Sequence, residues 1–90
     1  MKYKSFIYGI KMEEGFIISN RIRKVVFIEI ASGEGNLKRI AKKHHLMEQA
    51  VKNAVEELMQ HKLIEEEKDG YKLTEYGVKI FGKLKGTNVI

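Results

Sequence analysis

The rest of the chain is organised around residues 46–64, LMEQAVKNAVEELMQHKLI, which we call the deciding stretch. Apolar side chains recur there at helical spacing and share one arc; they are Ala50, Val51, Ala54, Val55 and Leu58. The opposite arc is polar and consists of Gln49, Lys52, Asn53, Glu56 and Gln60. The stretch is therefore predicted to be an amphipathic helix that ends at residues 61–62, where cations oppose the helix dipole.

Length and composition set the broad class of the protein. Ninety residues make one small domain, and the absence of cysteine excludes a disulfide framework and a thiolate metal site. The N-terminus lacks the sustained apolar run of a signal peptide, and no apolar stretch is long enough to cross a membrane. We expect a soluble, cytoplasmic protein with no membrane anchor.

The net charge of +5 is distributed unevenly along the chain. Residues 19–45 carry a net charge of +5, whereas residues 46–67 carry −4. A basic protein suits a polyanionic partner, but a surface rich in Lys and Glu is also typical of heat-adapted proteins. Charge alone leaves both interpretations open.

Two further helices are predicted before the deciding stretch. The first covers residues 16–32, with Ser19 or Asn20 as its N-cap, and is apolar nearly all round. Glu29 falls inside its apolar arc without an evident partner. The second covers residues 37–44 and joins the deciding helix through a turn so short that the two must cross steeply, as in a helix-turn-helix. Asn36 is its predicted N-cap.

A hairpin and a last helix are predicted after the deciding stretch. Asp69-Gly70 between two short strand-like runs favours a type I′ turn, which needs positive φ at both central residues. Thr74 is expected to cap a helix over residues 75–84. Its predicted inward side chains are Tyr76, Ile80, Phe81 and Leu84. Residues 1–18 are predicted to be an N-terminal arm or strand, and residues 86–90 a frayed tail.

These elements resemble, in order and spacing, a winged helix-turn-helix domain over residues 19–85. NLKRIAKKHHL resembles the first helix of the motif with its turn, MEQAVKNAVEELMQHKLI the recognition helix, and EEEKDGYKL the wing. LTEYG at residues 73–77 resembles the L-T-x-x-G joint of small archaeal MarR- or ArsR-like transcriptional regulators. The resemblance implies an α+β, mostly α fold with a three-helix core, a two-stranded β-hairpin wing and a C-terminal helix.

The resemblance also implies a DNA-binding transcriptional regulator that reads the major groove with the helix at residues 47–61. By position, the base-reading candidates are Glu48, Gln49, Lys52, Asn53 and Glu56. Phosphate contacts are expected from helix 37–44, from the wing at residues 63–73 and from the first helix; the candidates are Arg21, Lys38, Arg39, Lys42, Lys68 and Lys72. Asn20 and Arg23 are further phosphate candidates.

Double-stranded DNA and a second copy of the chain, in a homodimer, are the expected partners, because two half-sites raise affinity and specificity.

Two features depart from the family pattern. Met47 stands where Ser or Thr usually caps the recognition helix. Glu48, Glu56 and residues 65–67 place carboxylates where phosphates would lie, which is repulsive unless they accept from cytosine N4 or pair with lysines. The alternative function is therefore a winged helix that acts as a protein–protein interaction module through its acidic third helix and wing. A host-defence, viral or transposon-borne regulator is a third interpretation.

Enzyme function is not expected, because no catalytic constellation is present. His44 and His45 are adjacent at a helix end, and His61 is distant in sequence, so no metal-ligand spacing arises. The glycines form no phosphate-binding loop. We therefore expect no catalytic residue, no metal, no cofactor and no evident small-molecule effector.

Overall fold

Five helices and one hairpin follow one another in the computed structural model, which describes residues 13–86. The elements are α1 over residues 13–18, α2 Arg21–Ala31, α3 Leu37–His44, α4 Glu48–Gln60, β1 Ile64–Glu67, β2 Gly70–Leu73 and α5 Glu75–Gly86. The strands pair antiparallel, with Ile64 opposite Leu73 and Glu67 opposite Gly70. This mostly helical α+β arrangement, with a hairpin after the helices, is compatible with a winged-helix topology.

A hydrophobic core lies between α2, α3, α4, the base of the hairpin and α5. Its wholly buried large side chains are Ile17, Val26, Phe27, Ile40, Val51, Val55, Leu58, Leu63 and Leu84. The predicted apolar arc of α4 is confirmed, because four of its residues are buried and Ala50 is half-buried. The polar arc of α4 is exposed along its whole length. Burial of one arc therefore fixes which face α4 offers to solvent.

The predicted continuous helix over residues 16–32 is wrong at its start. The chain forms α1, leaves helical geometry at residues 19–20 and begins again as α2. Asn20, not Ser19, is the N-cap: its Oδ1 accepts hydrogen bonds from the N–H groups of Ile22 and Arg23 at 2.9 and 3.1 Å. An Asn side chain that competes for backbone N–H groups ends one helix and starts the next.

The expectation of an arm or strand over residues 1–18 is wrong for its last six residues, which are helical. Ile17 in α1 is wholly buried, so this turn of helix joins the core rather than extending from it. Residues 1–12 lie outside the described residues, as do residues 87–90 of the predicted tail.

The helix predicted at residues 37–44 is confirmed with those bounds. Oδ1 of Asn36 accepts from the N–H of Arg39 at 3.0 Å, as an N-cap does. The helix ends at His45, whose φ of 56° lies in the left-handed region. The N–H of Leu46 then donates to the carbonyl of Ala41 at 2.8 Å. This left-handed cap turns the chain sharply into α4.

The predicted hairpin is present, but its predicted type I′ turn at Asp69-Gly70 is wrong. The two linking residues are Lys68 and Asp69, and neither has positive φ. Gly70 already belongs to β2, with φ of 153°. A Cβ on Gly70 would lie 2.5 Å from the carbonyl oxygen of Gly35, so this glycine allows the wing tip to pack on the segment before α3.

Thr74 caps α5 as predicted. Its Oγ1 accepts from the N–H of Gly77 at 2.9 Å and donates to the carbonyl of Lys62 at 2.6 Å. A Cβ on Gly77 would lie 2.1 Å from the carbonyl oxygen of Leu63, so a glycine is needed where α5 crosses the hairpin base.

The inward face predicted for α5 is only partly right. Ile80 and Leu84 are buried and Phe81 is half-buried, but Tyr76 is 41% exposed. Partial burial, and then the carboxylate of Glu13, raise the pKa of Tyr76, so its ring lies at the α1 edge rather than in the core. The helix also continues two residues past the predicted end, to Gly86.

Candidate nucleic-acid interface

The exposed face of α4 carries all five predicted base-reading residues. Glu48, Gln49, Lys52, Asn53 and Glu56 are each exposed. Nε2 of Gln49 donates to Oδ1 of Asn53 at 3.0 Å, which fixes the two amides side by side. The side chain of Lys52 forms no hydrogen bond or ion pair with another residue in the range 13–86. The face is therefore open to a partner.

The basic face of α3 lies next to it. Lys38, Arg39 and Lys42 are exposed. Arg39 is 3.8 Å from the carboxylate of Glu34, a long contact between exposed groups that contributes little. Lys38 and Lys42 have no carboxylate partner among the described residues. The outer face of α3 therefore presents positive charge that the fold itself leaves uncompensated.

A groove of about 450 Å³ separates the N-terminal ends of α3 and α4 from the wing tip. Lys38 and Lys52 both line it, so one predicted phosphate contact and one predicted base contact border the same groove. Leu37 and Tyr71 supply apolar wall, whereas Glu48 and Asp69 supply negative charge. The groove is therefore lined by charges of both signs and by apolar side chains.

A second groove, of about 200 Å³, lies on the other side of α4. Asn20 and Ile22 of the α2 end border it together with Ala50 and Asn53 of α4. Asn53 thus faces the α2 side of the exposed face, whereas Lys52 faces the α3 side. The N-terminal turn of α2 is therefore an edge of the same surface.

The wing places its two predicted phosphate contacts among carboxylates. Lys68 is exposed and has no ion-pair partner in the described chain. Nζ of Lys72 is 3.9 Å from Oε2 of Glu65. The other exposed carboxylates of the hairpin are Glu66, Glu67 and Asp69. Acidic groups therefore outnumber lysines on this element.

The side chains of Asn20 and Arg23, two further phosphate candidates, make contacts within the fold. Asn20 caps α2, and Nε of Arg23 donates to Oε1 of Glu57 on α4 at 3.0 Å. The Arg23 guanidinium lies 4.0 Å from the ring centroid of Phe16 and donates to the Phe16 carbonyl. Arg23 therefore links α1 and α2 to α4, and its guanidinium is already paired within the fold.

Two histidine–carboxylate contacts were not anticipated from the sequence. Nε2 of His44 lies 2.6 Å from Oε2 of Glu29, and Nδ1 of His61 lies 2.8 Å from Oε1 of Glu13. The imidazole of His61 also stacks on Phe16, with ring centroids 3.8 Å apart. The sequence feature that could have predicted one of these contacts was Glu29, since a carboxylate in an apolar arc requires a cationic partner.

Glu29 obtains that partner from the end of α3. Hydrogen bonds from His44 and then from Lys43 lower the pKa of the Glu29 carboxyl, and partial burial opposes them. The contacts serve the packing of α2 on α3. Over residues 13–86, no group of three or more His, Cys, Asp or Glu side chains is arranged to hold a metal ion.

Met47 lies at the N-cap of α4 and makes no capping hydrogen bond. Its side chain is 76% exposed, more than any other large hydrophobic residue that the structure describes. The first N–H groups of α4 therefore remain available to solvent or to an anionic ligand.

Comparison with protein-family models finds no family that matches this chain, and comparison with curated proteins finds no match. Within the described part of the chain, no helix has the length and apolar character needed to span a membrane. The order of the elements and the surface formed by α2, α3 and α4 are the features of this chain that bear on its function.

Proposed function

We propose that residues 19–85 form a winged helix-turn-helix domain that binds double-stranded DNA as a transcriptional regulator. The observation that carries this proposal is the exposed polar face of α4 beside uncompensated lysines of α3. Lys38 and Lys52 border one groove there, and neither has an ion-pair partner within residues 13–86. A helix with such a face fits the major groove, and the neighbouring lysines fit the flanking phosphates.

The chemistry of α4 suits base recognition. Gln and Asn amides pair bidentately with N6 and N7 of adenine, and Lys donates to O6 and N7 of guanine or to phosphate. Gln49 and Asn53 are already joined at 3.0 Å, so bidentate pairing of both amides would exchange one exposed hydrogen bond for four directed ones. Glu48 and Glu56 would accept from N4 of cytosine, which gives their negative charge a favourable partner.

Phosphate contacts would come from the outer face of α3. Lys38 and Lys42 are exposed and have no carboxylate partner among the described residues to give up. Arg39 would give up only its 3.8 Å contact with Glu34, and an exposed pair of that kind contributes about 0–1 kcal/mol. The low cost of releasing Arg39 makes it a third phosphate ligand.

A homodimer belongs to the same proposal. Ile18 is 40% exposed, and Ile22 and Val25 on the neighbouring turns are half-buried, which leaves apolar surface along α1 and α2. Covering that surface with a second copy would join two reading helices at a fixed spacing. Sedimentation equilibrium tests this: the dimer mass is expected, and a monomer at high concentration contradicts the dimer alone.

The reading face is tested by the double variant Lys52→Ala with Asn53→Ala. The matched control is Lys79→Ala, which removes the same single positive charge from an exposed lysine of α5 without an ion-pair partner among the described residues. Duplex affinity should fall at least about tenfold in the first variant, because a good base contact is worth roughly 1–3 kcal/mol. The control should lose less duplex affinity, because it changes only the long-range electrostatic attraction.

Equal affinities in the reading-face variant and the wild type would contradict DNA reading by α4. They would favour the alternative of a protein-interaction module. That alternative is supported by one observation, the exposed carboxylates of Glu66, Glu67 and Asp69, which have no cationic partner over the described range.

A further inference from the structure

Two amide side chains on the exposed face of α4 are joined to each other. Nε2 of Gln49 donates to Oδ1 of Asn53 at 3.0 Å, and both residues are exposed. The residues are four positions apart, so their side chains are neighbours on one side of the helix. Because both side chains are exposed, this hydrogen bond satisfies no buried polar group. Its effect is to limit the rotation of two side chains that solvent alone would leave free.

The hydrogen bond leaves the Gln49 amide with the two groups that adenine requires. An amide side chain has two N–H donors and one oxygen acceptor. Asn53 accepts from one N–H of Gln49, and neither the second N–H nor Oε1 has a partner among residues 13–86. In the major groove, adenine offers N7 as an acceptor and its N6 amino group as a donor. Gln49 can therefore pair bidentately with adenine while it stays bonded to Asn53.

The positions of the two residues differ along and around α4. Gln49 is the second residue of the helix, and the N-terminal residues of a recognition helix are the ones that meet base edges. Asn53 lies one turn further along and lines the groove between α2 and α4. The charged residue in the lining of that groove is Glu57, and Arg21, exposed at the start of α2, does not line it. Asn53 thus lies beside a groove whose lining contains no cation to hold a phosphate.

We infer that Gln49 reads an adenine and that Asn53 is a positioning residue, which holds the Gln49 amide in the orientation this contact needs. The inference rests on the proposed function and narrows it, because one adenine contact replaces separate contacts from both amides. A side chain that is already held loses less rotational freedom when it binds. Asn53 therefore contributes to specificity for adenine without touching the base.

The probe is a duplex that the wild-type protein selects from random-sequence DNA, with each adenine replaced in turn by 7-deazaadenine. This base keeps the N6 amino group but carries a C–H in place of N7, so it lacks one acceptor of the bidentate contact. At the adenine read by Gln49, the replacement should weaken wild-type binding about fivefold, the lower end of the range for a bidentate base contact. Gln49→Ala should bind the two duplexes equally.

Two replacements of Asn53 separate positioning from reading. Asn53→Ala removes the acceptor for Gln49, so the loss caused by 7-deazaadenine should shrink towards zero. Asn53→Asp keeps an oxygen for Nε2 of Gln49 but has no N–H donor of its own. Its loss at this adenine should equal that of the wild type, although the added negative charge weakens binding to both duplexes. The ratio of the two affinities cancels such a general loss, and thermal melting checks the folding of each variant.

The inference is overturned if no adenine of the selected duplex responds to 7-deazaadenine, or if Asn53→Ala keeps the full response. It is also overturned if Asn53→Asp loses the response as Asn53→Ala does, since Asn53 would then act through its own N–H groups. Failure of the proposed function looks different, because the folded wild-type protein would then bind no duplex even at low salt.

Discussion

Oε2 of Glu29 in α2 lies 2.6 Å from Nε2 of His44 at the end of α3. Nζ of Lys43 approaches the same carboxylate oxygen at 3.0 Å. Glu29 is only 8% exposed, so the ammonium group of Lys43 and the hydrogen bond with His44 compensate a carboxylate that the core would otherwise leave unpaired. These two contacts join α2 to the C-terminal end of α3.

Replacing Glu29 by Gln should lower the free energy of unfolding at pH 7 by about 1.5–3 kcal/mol, the range for hydrogen bonds to charged groups. Urea denaturation measures the change. Glu65→Gln is the matched control, since its 3.9 Å contact with Lys72 joins two exposed groups. That control should stay within about 0.5 kcal/mol of the wild type. Similar losses in both variants would assign no special role to Glu29.

The same pair gives stability a defined pH dependence. His44 and Lys43 lower the pKa of the Glu29 carboxyl from its ordinary value of 4.5. A lowered pKa means that the folded state favours the ionised form, so the contribution is complete above 4.5 and is lost as the pH falls through the lowered value. The stability difference between wild type and Glu29→Gln should therefore shrink on acidification. A difference that stays constant down to full protonation would refute this.

Replacement by alanine should change the stability of the protein in opposite directions at two glycines of α5. At Gly77 the new Cβ would meet the Leu63 carbonyl oxygen at 2.1 Å, so we expect a loss of about 1–3 kcal/mol from overpacking. At Gly82 nothing lies within 4 Å, and alanine should add about 0.4–1 kcal/mol by restricting the unfolded chain. Thermal denaturation of both variants measures these changes in stability. If Gly77→Ala leaves the free energy of unfolding unchanged, the close crossing of α5 over the hairpin base is contradicted.

Met47→Ser should stabilise the protein. The N-caps of α2 and α3, Asn20 and Asn36, accept backbone hydrogen bonds, as does Thr74 before α5, whereas Met47 provides none for α4. A serine there should add about 0.5–2 kcal/mol. Met59→Ser, at an exposed site within α4, is the control and should bring no gain. Unchanged stability in Met47→Ser would mean that solvent already satisfies the first N–H groups of α4.

Local chemistry explains what the sequence predicted well. Asn36 and Thr74 are N-caps because their oxygens reach backbone N–H groups a few residues on, and the apolar spacing of α4 appears directly in its burial. These features depend only on neighbours along the chain. The bounds of α3 and the existence of the hairpin followed from the same local rules.

The features that the sequence did not predict depend on residues far apart along the chain. The turn of the hairpin is set by the contact of Gly70 with Gly35, and Glu13 meets His61 across 48 residues. Tyr76 is 41% exposed and interacts with Glu13 of α1, 63 residues earlier in the chain. For the candidate interface, sequence position identified the exposed residues of α4, but only the structure showed that Arg23 is engaged with Glu57.

Fluorescence anisotropy of a labelled random-sequence duplex across a salt series tests our claim that this surface binds duplex DNA. We predict binding at low salt and a linear fall of log K with log salt, whose slope counts the phosphate contacts. Absence of binding at low salt by the folded protein would contradict the claim.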